Sequence, residues 1–167
     1  MVIATTGGPA AESIPVALPS NAKAATFLPF DRLLQKVSVM VTNGGYGAVN
    51  QALSLGVPLV VAGDSEEKPE IAARVAWTGA GINLRTGRPS ATQIREAVRA
   101  VLTKPQYRQR ARALRAAFAR HNARDEIAEV VEDLAAGGNG SVRLRGPESS
   151  RFIGPKGETV PSGGAPA

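Results

Sequence analysis

The sequence predicts an α/β fold, a doubly wound parallel sheet with helices on both faces, and three observations carry that expectation. Short runs rich in valine and other aliphatics lack polar alternation, as strands buried on two faces do. Segments with apolar residues at three- and four-residue intervals alternate with them. A glycine turn, Asn43-Gly44-Gly45, stands between one such strand and the helix that follows it.

Taken in order, Met1 to Thr6 reads as a first strand, closed by Gly7-Gly8-Pro9. Residues 9–23 are a proline- and alanine-rich connection, and Ala24 to Leu28 reads as a second strand. After Pro29 comes a short helix over Asp31 to Lys36, with Leu33, Leu34 and Val37 facing inward. A chain that opens directly on a strand has no preceding βα unit to cover it, so an N-terminal piece is expected to be missing.

The organising stretch is VSVMVTNGGYGAVNQALSLGVPLVV, Val37 to Val61. Val37, Val39 and Val41, with Met40 among them, form a buried parallel strand, and Asn43-Gly44-Gly45 breaks it. From Gly45 the spacing of Val49, Ala52, Leu53 and Gly56 is helical, and Gly56-Val57-Pro58 closes that helix and launches the strand Leu59-Val60-Val61. At about 100° per residue, Gly44, Gly47 and Gln51 fall in a column away from the apolar face. In strand-helix-strand crossovers that helix N-terminus lies at the carboxyl rim of the sheet, where ligands bind. Bare amides and the helix dipole favour an anion there, most naturally a phosphate or diphosphate. The turn is no Walker loop, because Gly-Lys-Ser/Thr is absent, and the third glycine of GxGxxG is missing as well. Tight helix packing alone also accounts for the glycines.

Residues 62–68 form a polar loop, and Pro69 opens a helix that runs to about Thr78 and buries Ile71, Ala72 and Val75. Gly79-Ala80-Gly81 interrupts, Ile82-Asn83-Leu84 is a brief strand, and Thr86 to Ser90 is turn. Helices follow at about 91–103 (Ile94, Val98, Val101, Leu102), 105–121 (Tyr107, Ala111, Leu114, Phe118) and 124–135 (Ile127, Val130, Val131, Leu134). From Gly137 the composition turns to Gly, Ser and Pro, so residues 1–136 are expected to form one domain and 137–167 a disordered tail.

Composition narrows the function. The chain of 167 residues has no cysteine, which excludes a disulfide scaffold, a cysteine nucleophile and a thiolate metal site. No apolar run approaches membrane-spanning length, so a cytoplasmic protein is expected. The net charge of +6 gathers in six arginines from Arg108 to Arg124, on what reads as an amphipathic helix with a solvated basic face. With only 4% aromatic residues the chain offers few stacking platforms, and nucleic acid is not the expected partner. His121, the one histidine, reads as a surface residue, and no metal cluster is apparent.

TNGGYGAVNQALSLGVPLVV, with FLPFDRLL upstream and EEKPEIAARVAWTGAGINL downstream, resembles the C-terminal domain of nucleotide-sugar-dependent glycosyltransferases of the two-Rossmann-domain (GT-B) type. Bacterial macrolide and antibiotic glycosyltransferases and the wider UDP-glycosyltransferase family are its nearest likenesses. The resemblance implies that Thr42, Asn43, Gly44, Gly45, Tyr46, Gly47 and Ala48 hold the donor diphosphate. Asn43 stands where the family has His and keeps an amide that can bond phosphate, and as a residue type it also suits a helix N-cap. Ala48 has no hydroxyl to offer, which leaves the contact to backbone amides.

Gln51 stands at the family's ribose-binding Glu and also reads as a solvated helix residue. Phe27 and Pro29 lie in the base-stacking segment, Phe27 being 16 residues ahead of Asn43 and equally readable as a core side chain, while Phe30 departs from the family's Gln. Glu67 and Lys68 fall where Asp/Glu-Gln contacts the transferred sugar; Lys68 is a departure, and both also suit a charged loop before a helix. The implied substrate is a UDP- or dTDP-linked sugar, with no cofactor. The general base and acceptor pocket belong to a separate N-terminal half, so the isolated chain is expected to be inactive. An auxiliary or non-catalytic remnant of such an enzyme is the alternative, favoured by Asn43, Ala48, Gln51 and Lys68.

Overall fold

The computed structural model describes residues 1–137, so the tail expected over 137–167 lies, but for Gly137, outside the described residues. The chain divides into two units, Met1–Val37 and the part from Ser38 onward.

In the first unit, β1 (Val2–Thr5) and β2 (Ala22–Ala25) pair in parallel, from Val2 opposite Ala22 to Thr5 opposite Ala25. The second strand begins and ends earlier than the expected Ala24 to Leu28. Pairing decides this: beyond Thr5 only the amides of Thr6 and Gly7 still reach the carbonyls of Ala25 and Thr26, and Phe27 and Pro29 lie outside the ladder. A short helix α1 (Phe30–Leu33) continues as a 3-10 turn over Leu34–Lys36, in which Leu34 is buried.

The second unit carries β3 (Met40–Thr42), α2 (Tyr46–Ser54), β4 (Leu59–Val61), α3 (Lys68–Thr78) and β5 (Gly81–Asn83). The strands are parallel in the order β3-β4-β5, with Met40 opposite Leu59 and Leu59 opposite Gly81. All three residues of β4 are fully buried, as a central strand covered on both faces requires. Val60 faces α4 (Ala91–Thr103), where Ala97 and Val101 close a core with Val39, Ile82, Leu84 and Tyr107. On the other face Val75 of α3 reaches β5 beside Gly81. Each such fully buried valine or leucine contributes about 1.5–3 kcal/mol.

β3 departs from expectation. It starts at Met40 rather than Val37 and leaves Val41 45% exposed, because within its sheet it has a neighbour on one side only. In α4 the buried stripe is Ala97 and Val101, while Leu102 is exposed; alanine lets the helix approach Val60 closely. Ser90 and Gln93 start α4 with a reciprocal capping box.

The arginine-rich helix α5 (Pro105–Phe118) buries Ala111 and stops short of the expected residue 121. Its basic residues are not simply solvated. The Arg115 stem covers Gly56 beyond the C-terminus of α2, the Arg110 stem covers Gly79 at the C-terminus of α3, and Arg108 donates to the Ser38 carbonyl at 2.8 Å. Cations at the C-terminal ends of α2 and α3 complement the helix dipoles, and their methylenes cover backbone. The last helix, α6 (Ala123–Ala135), is capped by Asn122. Its expected inward residues Ile127, Val131 and Leu134 are exposed by more than half.

A Cβ on Gly81 would overlap the Leu59 carbonyl oxygen and stand 2.7 Å from Val75 Cγ1. Gly81→Ala is therefore expected to destabilise the protein by about 1–3 kcal/mol, the usual cost of overpacking, measurable by urea unfolding.

Candidate functional site

β3 ends at Thr42, and the next three residues carry the chain from the sheet rim into α2. The Thr42 hydroxyl accepts a hydrogen bond from the Gly44 amide and the Asn43 side-chain oxygen one from the Gly45 amide, both long at 3.3 Å. Gly44 is buried with φ +93°, and a Cβ there would stand 2.8 Å from Val61 Cγ1 and 3.5 Å from the Lys68 carbonyl oxygen. Conformation and space both demand glycine at that position. Gly47 faces open space, and a Cβ on Gly45 meets only Asn43 Oδ1 at 3.8 Å.

Two sequence expectations change here. The N-cap of α2 is Gly45, without a side-chain cap, so Asn43 stands two residues ahead of the cap and closes the turn instead. Gly44 therefore precedes the helix, and the expected column reduces to Gly47 and Gln51, one turn apart on α2. The first-turn amides of α2 have no intrahelical partner, and with no side-chain cap they and the dipole form an anion-attracting end.

The turn after β4 locks onto this one. The Ala62 amide donates to the Thr42 carbonyl at 2.9 Å, and a Cβ on buried Gly63 would overlap the Asn43 carbonyl oxygen. Asp64 accepts from the Gly87 amide at 2.9 Å, which ties in the loop that follows β5. The loops after all three strands thus meet at the carboxyl end of the sheet. Glu66 holds φ +56°, uncommon for a non-glycine residue. Glu67 is exposed at the N-cap position of α3, and Lys68 begins that helix with its Cβ in line with Gly44 and Gly63.

The structure gathers Thr42, Asn43, Gly44, Gly45 and Lys68 at this rim, joined by Gly63, Asp64 and Glu66, whose part sequence reasoning missed. A glycine two residues beyond the all-apolar β4 was the available signal. Tyr46 is 66% exposed, Ala48 is half-buried on the first turn of α2, and Gln51 is half-buried further along it. Tyr46 and Glu67 stand at a groove of about 360 Å³ between α2 and α3, floored by Val49, Leu53, Ile71 and Val75. Phe27 and Pro29 belong to the first unit, where both are exposed; at 73% exposure Phe27 is no core side chain. His121 is also exposed, 3.1 Å from Glu126.

The Lys68 ammonium pairs with Glu66 and lies 3.4 Å from the Ser65 hydroxyl. The hydrogen bond to Lys68, then its charge, hold the Glu66 carboxyl below its ordinary 4.5, and the hydrogen bond to Glu66 raises the Lys68 ammonium above 10.5. Nearby Glu70 and Arg74 also pair, but both are exposed and add little.

Parallel strands alternating with helices, with a glycine turn at the carboxyl rim of the sheet, match the C-terminal domains of GT-B glycosyltransferases. The chain belongs to the family described as "Erythromycin biosynthesis protein CIII-like, C-terminal domain", whose pattern residues 2–135 match. It is 49% identical to 4'-demethylrebeccamycin synthase of Lentzea aerocolonigenes over 134 residues, 80% of this chain and 31% of that protein. It is 44% identical to UDP-glycosyltransferase 2 of Phaeomoniella chlamydospora over 71% of this chain and 26% of that protein. Among solved structures it resembles glycosyltransferase VinC in complex with dTDP, with a TM-score of 0.57 and 25% identity over 60% of this chain and 25% of that one. The chain thus spans less than a third of the length of the curated relatives it matches.

Two outcomes follow from the geometry. Gly47→Ala adds a methyl group to an exposed helix position and is expected to raise stability by up to about 1 kcal/mol in thermal unfolding. The Glu66–Lys68 pair is expected to stabilise the fold fully above the ordinary carboxyl range and below the ordinary ammonium range. Its contribution is lost as pH falls through the depressed Glu66 value or rises through the elevated Lys68 value. The stability difference between wild type and Glu66→Gln, followed against pH, should therefore shrink at both ends.

Proposed function

We propose that this chain is the donor-binding half of a glycosyltransferase that moves a sugar from a nucleoside diphosphate, UDP or dTDP, to a hydroxyl of a small-molecule acceptor. The observation that carries this reading is the glycine turn: amides of Gly44 and Gly45 held only by long bonds, beside open Gly47 and the uncapped start of α2. A diphosphate replaces those bonds with shorter charge-assisted ones.

In this reading Thr42, Asn43, Gly44, Gly45, Tyr46, Gly47 and Ala48 surround the diphosphate. Gln51 takes the ribose, and Glu67 and Lys68 face the sugar. As the sugar–phosphate bond breaks, negative charge grows on the leaving diphosphate, and preorganised amides and the helix dipole stabilise it. Deprotonating the acceptor needs a general base from a separate acceptor-binding half, which would also supply the acceptor pocket. The names of the relatives and the dTDP of the VinC complex support the donor class. A second reading, an auxiliary partner that has lost turnover, draws on the absence of a hydroxyl at Ala48 and of a charge at Asn43 and Gln51.

Calorimetry with UDP, dTDP and UMP tests the proposal. The nucleoside diphosphates should bind more tightly than UMP, and Gly45→Asp should weaken UDP about a hundredfold or more, because like charges in contact cost several kcal/mol. Asp is a preferred N-cap, so the variant should fold as well as the wild type. Equal binding of UDP and UMP would contradict the donor reading, and glycosyl transfer by the chain alone would contradict the need for a second half.

A further inference from the structure

The first residue of α3 is a lysine, at the helix end where the dipole disfavours a cation. Its environment offsets that placement with acids: Glu66 pairs with it, and the Glu67 carboxylate adds attraction. The Lys68 side chain is only 16% exposed, and its Cβ lies 3.0 Å from the direction a Gly63 side chain would take and 3.7 Å from that of Gly44. Glycine at both positions leaves room for this stem beside the turn. The paired Glu66 carboxylate, by contrast, is 70% exposed and rides on a residue with φ +56°. A lysine whose stem packs against the glycine turn is thus held by a displaceable acid.

Building on the donor-binding reading above, we infer that Lys68 is the cation for the sugar-bearing, outer phosphate of the nucleoside diphosphate, and that Glu66 is a place-holding carboxylate which this phosphate displaces. Asn43 brings hydrogen-bonding capacity to the turn but no charge, and the lysine supplies what the asparagine lacks. A flexible four-carbon stem lets the ammonium move from carboxylate to phosphate without disturbing the backbone of α3. The phosphate takes over the ion pair, so the ammonium is never left bare. The carboxylate that leaves faces water and carries little cost of separation.

The test is calorimetry on the full chain with UDP and UMP as probes, for wild type, Lys68→Gln, Lys68→Met, Lys68→Arg and Glu66→Gln, with circular dichroism as the fold check. Removing the charge by Gln or Met should weaken UDP about tenfold, the size of one lost charge-assisted bond, and change UMP less than about twofold. Lys68→Arg should stay within about threefold of wild type, and Glu66→Gln should tighten UDP because the internal competitor is gone. Unchanged UDP binding in folded Lys68→Gln and Lys68→Met would overturn the assignment while leaving donor binding intact. Equal losses for UDP and UMP, or weaker UDP binding in Glu66→Gln, would overturn it as well. A wild-type chain that binds UDP no better than UMP would remove the donor reading itself, and the assignment with it.

Discussion

Two backbone turns press against each other at the rim of the sheet, and the remainder of the candidate site depends on that contact. Gly44 passes over Val61 at the end of the central strand, and Gly63 passes beneath the Asn43 carbonyl. Side chains at either glycine would separate the turns, and with them the amides of the first from Lys68 of the second. Fully buried β4 gives the rim a rigid floor. Glycine is used here for proximity at least as much as for conformational freedom, since Gly63 needs no positive φ. Packing and ligand binding are therefore not competing explanations of the turn. Gly44 serves packing, while Gly45 and Gly47 remain open.

The positive charge of the chain has a comparable dual character. Arginines 108, 110 and 115 of α5 each brace another part of the second unit: the entry to β3, the end of α3 and the end of α2. The same sheet crossovers that aim helix N-termini at the candidate donor rim aim their C-termini at α5. A basic helix at that opposite end neutralises the negative dipole ends and buries its aliphatic stems. A net charge of +6 is thus accounted for in part by fold architecture, with no nucleic acid invoked.

Much of this was legible in the sequence, for reasons that can be named. Leu59-Val60-Val61 is apolar at every position, which a central parallel strand demands, and Pro69 marks the start of α3 to within one residue. The motif order identified the glycosyltransferase resemblance, and the family match bears it out. What failed depended on neighbours. Strand ends at β2 and β3 are set by pairing partners, and the exposure of Val41, Leu102 and Ile127 depends on which faces other elements cover. The column through Gly44 assumed a helix that begins too early; the positive φ that excludes Gly44 is a backbone property invisible in an amino-acid string. The clasp between Gly63 and Asn43, and the stems of Arg110 and Arg115, are contacts across the fold and leave no local pattern.

The central claim is that the loosely held amides of one βα turn, with the uncapped start of α2, receive the diphosphate of an activated sugar. Amide chemical shifts followed by NMR during titration with UDP test it most directly. Binding there would move the Gly44, Gly45, Tyr46 and Gly47 amides furthest, with Lys68 following. Shifts gathered instead on the arginines of α5, with the turn unmoved, would contradict it.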